Sequence, residues 1–168
     1  MTLRLILLRH AKSDWDDPLA DDQDRVLNPR GVQSANALGQ WLRSNAYIPE
    51  EILCSSARRT QQTYERIAPH LDETPEFHLK PQLYLAGSLA MLTHLKRAQA
   101  SVVMMIGHNP GIAEFAENLL RSRKMENDFY RYPTGAVSII DFEIDHWEGV
   151  EFGTGTLMDF TVPRRLLG

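Results

Sequence analysis

Val102-Val103-Met104-Met105-Ile106-Gly107-His108-Asn109-Pro110-Gly111 is the stretch that decides how this chain folds. The apolar run Val102–Ile106 is too short for a helix and rich in β-branched and methionine side chains, so it reads as a strand. Asn109-Pro110 reads as an N-cap followed by proline at the first helical position, opening a helix to about Leu120. Outward from there the same pattern recurs. Leu3–Leu8 is a second short apolar run, a buried strand. Asn28-Pro29 repeats the cap-plus-proline signal, and Val32, Ala35, Gly39 and Leu42 follow helical spacing until the helix must stop before Pro49. Glu51–Cys54 reads as a strand. Ser56 caps a helix to about Leu71, with Thr63, Ile67 and Leu71 on one face. Ser88 caps another, marked by Leu89, Leu92 and Leu95. Past Leu120 the pattern changes. Ala136–Ile144 alternates, with Val137, Ile139 and Asp141 on one face. His146-Trp147-Glu148-Gly149 makes a turn, and Gly155–Val162 returns as a strand. Strand–helix alternation ending in a hairpin implies an α/β fold, a three-layer αβα sandwich. Its central sheet should be mostly parallel, with antiparallel strands near an edge.

The chain of 168 residues is expected to be a single domain over 1–168. Its 43% hydrophobic and 24% charged residues exclude collagen, a long coiled coil and a disordered chain. With 18 basic and 22 acidic side chains the net charge is -4, so nothing calls for nucleic acid or an anionic membrane as partner. The one cysteine, Cys54, cannot form an internal disulfide, which points to a reducing compartment. No run approaches the ~18 apolar residues of a membrane span. Leu5–Leu8, between Arg4 and Arg9, is too short for a signal peptide, so a cytoplasmic location is expected. There is no repeat and no low-complexity linker. Asp14, Asp16, Asp17, Asp21, Asp22 and Asp24 cluster in a stretch read as a solvated loop, although long loops in compact domains often serve a site.

Three strands end in polar residues that a core does not need: Arg9-His10, Ser55-Ser56-Ala57-Arg58-Arg59, and Gly107-His108-Asn109-Pro110. In open α/β sheets, ligands bind beyond the carboxyl ends of the strands. If the strands are parallel, all three segments share one edge, and two lead at once into helix N-termini with free N–H groups. Two histidines, several arginines and two helix starts describe an anion site, and arginine forks match a tetrahedral phosphoryl group best. Singly, each piece is weak, since a histidine at a strand end is more often structural. Arg59 stands at a helix N-terminus, where cations are disfavoured, and that misplacement favours a bound anion.

The motifs themselves carry a resemblance. Leu7-Leu8-Arg9-His10-Ala11 resembles the Arg-His-Gly signature of the histidine phosphatase superfamily, the phosphoglycerate-mutase-like family, with alanine for the usual glycine. Ser55 to Thr63 is similar to its arginine motif, Arg59 matching the phosphate-binding arginine. Ile106-Gly107-His108-Asn109-Pro110-Gly111 is similar to its second histidine motif. The chain most resembles the small SixA-like phosphohistidine phosphatases, and Arg25-Val26-Leu27-Asn28-Pro29-Arg30-Gly31 matches their early segment. The resemblance implies a phosphoglycerate-mutase-like fold and a metal-independent phosphatase without cofactor. His10 would be the nucleophile, carrying the phosphoryl group as phosphohistidine until water removes it. Arg9 and Arg59 would hold the non-bridging oxygens, and His108 would donate to another. Arg25 is an expected further contact. Asn109 is placed near the phosphate too, although capping the following helix is the duty expected of it first. The implied partner is a phosphorylated protein, such as a His-containing phosphotransfer domain, or a small phosphorylated substrate. The alternatives are a phosphatase of small phosphate esters and a phosphoprotein-binding module without turnover.

One departure bears on substrate. Many relatives carry a carboxylic acid on a loop after the third strand, and the comparable stretch here, Pro81 to Gly87, offers Gln82. An alkoxide leaving group needs a general acid, worth about 10²–10⁴-fold. A phosphoramidate can leave as imidazole, protonated from solvent, so the missing acid favours an N–P bond. An acid from the Asp14–Asp24 loop or Glu114 is the alternative. Cys54 is a poor rival nucleophile: the cysteine-phosphatase loop needs arginine six positions on, and that position is Thr60. Ser55 and Ser56 lack the Gly-x-Ser-x-Gly setting of a hydrolase elbow.

Overall fold

The computed structural model describes residues 1–123 and 126–167. The decisive run is strand β4 (Val102–Gly107). It lies between β1 (Leu3–Arg9) and β2 (Glu51–Ser55) and pairs in parallel with both. Outside β2 runs β3 (Glu76–Lys80), again parallel. Beyond β1 comes β5 (Val137–Phe142), antiparallel to it, and then β6 (Thr156–Thr161), antiparallel to β5. The sheet order is β3-β2-β4-β1-β5-β6. Helices α1 (Pro29–Ser44) and α2 (Arg58–Ile67) cover one face, with the short α6 (Pro163–Leu167) beside α1. Helices α3 (Ser88–Leu95), α4 (Gly111–Leu119) and α5 (Asn127–Arg131) cover the other. This is the expected αβα sandwich with a mostly parallel sheet.

Both faces of the central strands are dry. Leu5 and Leu7 point into the core with Met105 and Phe115, while Ile6 and Leu8 point to Leu38, Leu42 and Ile106. Each such side chain contributes about 1.5–3 kcal/mol when fully buried. β5 differs from the one-faced strand expected. Val137 and Ile139 enter one core and Ile140 and Phe142 the other. Asp141 is half-buried and accepts from Arg4 Nε at 2.7 Å and Nη2 at 2.9 Å.

The caps correct the sequence in three places. Asn28 does cap α1, accepting from Gly31 N–H at 2.8 Å, with Pro29 first in the helix. Ser56 does not cap α2: Ala57 holds that place, and the Ser56 hydroxyl turns to Gln23 instead. Ser88 is the first residue of α3, preceded by Gly87, and its hydroxyl accepts from Asn118. Asn109 does not cap α4 either. Its amide donates to the carbonyls of Arg131 at 2.9 Å and Tyr132 at 3.1 Å, a tertiary partnership that outcompetes the local one. The start of α4 packs so tightly that a Cβ on Gly111 would lie 1.8 Å from the Ala86 carbonyl.

Register brings the chemistry together. Leu8, Ile106 and Cys54 lie side by side across three strands, so Arg9, Gly107 and Ser55 end at one level. On the far side of β1, Tyr132 takes a left-handed conformation (φ 49°) and aims its carbonyl back at this edge. It is held there by its buried hydroxyl, which bonds to the Leu7 carbonyl at 2.5 Å and to Ser138 Oγ at 2.9 Å.

Candidate active site

His10 follows the end of β1 and is only 5% exposed. Its Nδ1 lies 2.7 Å from the Ala11 carbonyl, which can only accept, so Nδ1 carries the proton and Nε2 keeps its lone pair. Burial, then the charges of its neighbours, holds the pKa at about 3. The ring is therefore neutral at neutral pH. Ala11, where glycine is usual, has no left-handed backbone and donates its N–H to Thr63 Oγ1 at 3.0 Å, so nothing here requires glycine.

His108 faces it with ring centroids 5.3 Å apart. It too is held at about 3, by burial and then by Arg59. Its Nε2 lies 2.7 Å from Ser55 Oγ and its Nδ1 3.3 Å from Arg59 Nη2. A serine hydroxyl can donate or accept. With Ser55 accepting from Nε2–H, Nδ1 accepts from Arg59; with Ser55 donating, Nδ1–H becomes a donor toward an oxyanion. Ser55 thus serves either tautomer.

Arg59, second residue of α2, is 2% exposed. Its Nη1 donates to the Asp22 carbonyl at 2.6 Å and its Nη2 to Asp22 Oδ2 at 3.0 Å. Arg9 Nη1 donates to the Tyr132 carbonyl at 3.1 Å, the acceptor it shares with Asn109. Burial and then Arg59 lower the Arg9 pKa. Three buried polar atoms here have no hydrogen-bond partner among the described residues: Arg9 Nε, Arg59 Nε and Asn109 Oδ1. Leaving such groups unsatisfied costs about 1–3 kcal/mol each, and a bound anion could satisfy the two guanidinium donors, though not the Asn109 amide oxygen, which only accepts.

The acidic loop is not only a solvated one. It closes through a bridge between Ser13 and Leu27, and its single turn Asp22–Asp24 reaches into the site. Asp22 accepts from Arg59, from Arg25 Nε at 3.1 Å, and from the Tyr84 hydroxyl. Desolvation would raise its pKa, but the hydrogen bonds from Tyr84 and Arg59 and the arginine charges outweigh it and hold the value at about 2. Arg25 also donates to Ser13 Oγ at 3.0 Å and stacks under Trp15, 3.3 Å from the ring centroid. Tyr84 sets its ring edge on His108, centroids 5.5 Å apart.

All six residues expected at the site therefore lie along one sheet edge. Asn109 contributes there through its orientation of the Tyr132 carbonyl. Gln82 does not reach it: the side chain is exposed, and the residue of that loop that does arrive is Tyr84. Glu114 is exposed as well. Tyr84 is the participant that sequence reasoning missed; Ser55 stood in the strand-end motif without a role of its own, and Asp22 in the acidic loop named only as an alternative source of an acid. Asp22 and Tyr84 meet across 62 positions, and no local pattern announces that. Cys54 is fully buried, its thiol pushed up to about 12 by burial, which removes it as a nucleophile at neutral pH. Among the described residues no three His, Cys, Asp or Glu side chains gather as a metal cluster, and no helix is long and apolar enough to cross a membrane.

The chain is similar to known proteins. Residues 5–84 match the model of the histidine phosphatase superfamily (branch 1). An uncharacterized protein of Mycobacterium tuberculosis is 31% identical over 164 residues, covering 94% of this chain and 100% of that one. Phosphohistidine phosphatase SixA of Escherichia coli is 25% identical over 112 residues, covering 64% of this chain and 68% of its own. A solved structure described as that of a putative phosphohistidine phosphatase SixA from Nakamurella multipartitia superposes with a TM-score of 0.83 at 25% identity, over 97% of both chains. Strand-end motifs, sheet order and relatives together place the chain in the histidine phosphatase superfamily, as a member of its SixA-like group.

Proposed function

We propose that this phosphatase works through a phosphohistidine on His10 and acts on phosphohistidine carried by a protein. The observation that carries the reading is the charge state of the site: a neutral, tautomer-fixed imidazole beside two buried guanidiniums, with Asp22, the carboxylate that reaches Arg59, held ionised. His10 Nε2 attacks phosphorus, the substrate's P–N bond breaks, and its electron pair leaves on imidazole. That imidazole departs neutral because its distal nitrogen has already taken a proton from solvent. Water then attacks the phosphoryl group on His10, releasing inorganic phosphate and restoring the lone pair on Nε2. Arg9 and Arg59 stabilise the charge on the phosphoryl oxygens throughout, and His108 in its Nδ1–H tautomer donates to a third. Arg25 contributes charge from one shell further out, through Asp22.

An alkyl phosphate fits this site poorly. Its leaving alkoxide needs a proton, and neither Asp22, ionised, nor either histidine, neutral, supplies one at neutral pH. The test is a panel at pH 7 with a chelator present: a phosphohistidine protein, free phosphohistidine, p-nitrophenyl phosphate and glycerol phosphate. Turnover of the first three and near silence on glycerol phosphate is the expected result. Equal turnover of glycerol phosphate and phosphohistidine would sink the N–P reading and put small phosphate esters first.

A further inference from the structure

Beside the catalytic cluster, on the same sheet edge, lies a cavity of about 180 Å³ where β5 begins and β6 ends. Lys12, Arg30 and Arg164 line it, with Ser34, Thr134 and Pro163, and no carboxylate does among the described residues. Such segregation is unexpected in a chain with a net charge of -4. Lys12 and Arg30 make no ion pair and no side-chain hydrogen bond among the described residues, whereas Arg164 is paired with Asp128. Ser34 is only 3% exposed, and its hydroxyl, at the cavity wall, likewise has no hydrogen bond among the described residues. Arg30 is the second residue of α1, just as Arg59 is the second of α2. Cations are disfavoured at that position unless an anion joins them.

The cavity is tied to the reaction centre by the backbone. Lys12 is two residues past His10. Thr134 adjoins Gly135, whose N–H donates to the carbonyls of Arg9 at 3.1 Å and His10 at 2.9 Å. Neighbouring strands are about 4.8 Å apart, so the ends of β5 and β6 lie roughly 5–10 Å along the edge from the end of β1. We infer that this cavity is a second oxyanion subsite, which takes another phosphoryl or carboxylate group of the same substrate while the first sits at His10. The inference rests on the reading of the strand-end cluster as the phosphoryl pocket, and it adds a substrate class: molecules or peptide segments with two anionic groups about 5–10 Å apart.

Calorimetric binding tests it without relying on turnover. The probes are methylphosphonate and a series of alkane bisphosphonates of increasing length. A bisphosphonate spanning about 5–10 Å should bind roughly tenfold or more tightly than methylphosphonate, as a charge-assisted contact warrants. The double variant Lys12→Gln/Arg30→Gln should lose that advantage; both side chains are exposed, so the fold is retained. No gain at any length, or a gain that survives in the double variant, overturns the subsite. Methylphosphonate binding alone reports on the catalytic pocket, so its absence refutes that reading separately, and the subsite with it. Two phosphorylated peptides, with glutamate or glutamine near the phosphorylated residue, identify the source. A preference for glutamate that vanishes in the double variant assigns the second anion to a protein. A bisphosphonate gain without such a preference assigns it to a small molecule.

Discussion

Mild acid should destabilise this protein, and the two histidines of the site should be the cause. Both rings sit at about 3 in the folded chain, against 6.5 when unfolded. Below pH 6.5 the unfolded chain takes up two protons that the folded chain refuses. Each refused proton costs about 1.4 kcal/mol per pH unit. Because the folded pKa values are depressed, stability is whole above pH 6.5 and drains as pH falls toward 3. At pH 5 the two rings together remove about 4 kcal/mol relative to pH 8, a large share of the ~5–15 kcal/mol available to a domain. His94, lowered by burial and then by Lys80 and Arg97, acts in the same direction. Asp22 does not blur the window: its stabilisation is present above pH 3.8 and is lost only as pH falls through about 2. The assay is urea unfolding at half-unit steps from pH 8 to 4.5, for the natural protein and for His10→Gln and His108→Gln. Each variant should lose about half of the pH slope, with the urea dependence unchanged. A flat stability curve in the natural protein, or either imidazole titrating near pH 6 by NMR, would refute the reasoning.

His10→Ala should abolish turnover together with an acid-labile phosphoenzyme; near-full activity, or a phosphoryl label on Cys54, would show the mechanism to be wrong. Arg59→Ala should lower kcat/KM by about 10²–10³-fold, the usual loss for one preorganised oxyanion donor, and a loss below tenfold would take Arg59 out of the transition state. Gln82→Glu should leave glycerol phosphate hydrolysis unchanged, since Gln82 is exposed away from the site; a clear rise would place that loop differently. Asp22→Asn should tighten inhibition by inorganic phosphate severalfold and slow turnover at saturating phosphohistidine. Weaker phosphate inhibition in that variant would mean that Asp22 serves only to hold Arg59 in place.

Much of this was legible because both the fold and the site hang on strand ends. β1, β2 and β4 are short apolar runs, and a buried parallel strand must look like that whatever surrounds it. His10, Arg9, Arg59 and His108 follow because polar residues directly beyond such runs have one edge to occupy. β3 carries no such signal: it is an outer strand with Glu76, Phe77 and Leu79 exposed, so no burial pattern marks it. α5 and α6, five residues each, are too short to show a period. The misread caps share one cause. Serine and asparagine have several short-range options, and which one wins is decided by partners far along the chain, Gln23 for Ser56 and the Arg131–Tyr132 carbonyls for Asn109. Asp22 and Tyr84 belong to the same class: each sits on a loop, and only the fold brings the loops together.

The pairing of Asp22 with the arginines gives the site a definite charge. Arg9, Arg25 and Arg59 contribute three positive charges, Asp22 one negative, and the two neutral histidines none, for a balance of two positive. A phosphoryl dianion cancels that balance. Without Asp22 the excess would be three, and inorganic phosphate, the product, would gain most, because it presents its full charge with no leaving group attached. Protonating the histidines instead would add positive charge and at the same time remove the lone pair that the proposed mechanism uses, so their depressed pKa and the arginine cluster act together. Asp22 also shares Arg59 Nη2 with any phosphoryl oxygen that uses it, so binding exchanges one carboxylate contact for a phosphoryl contact rather than adding a contact outright. Affinity is then a difference between two charge-assisted interactions, small enough for product to leave. In the proposed mechanism transition-state stabilisation would keep its full size, because charge on the transferring group would fall to Arg9 Nε and Arg59 Nε, donors that no protein group occupies among the described residues.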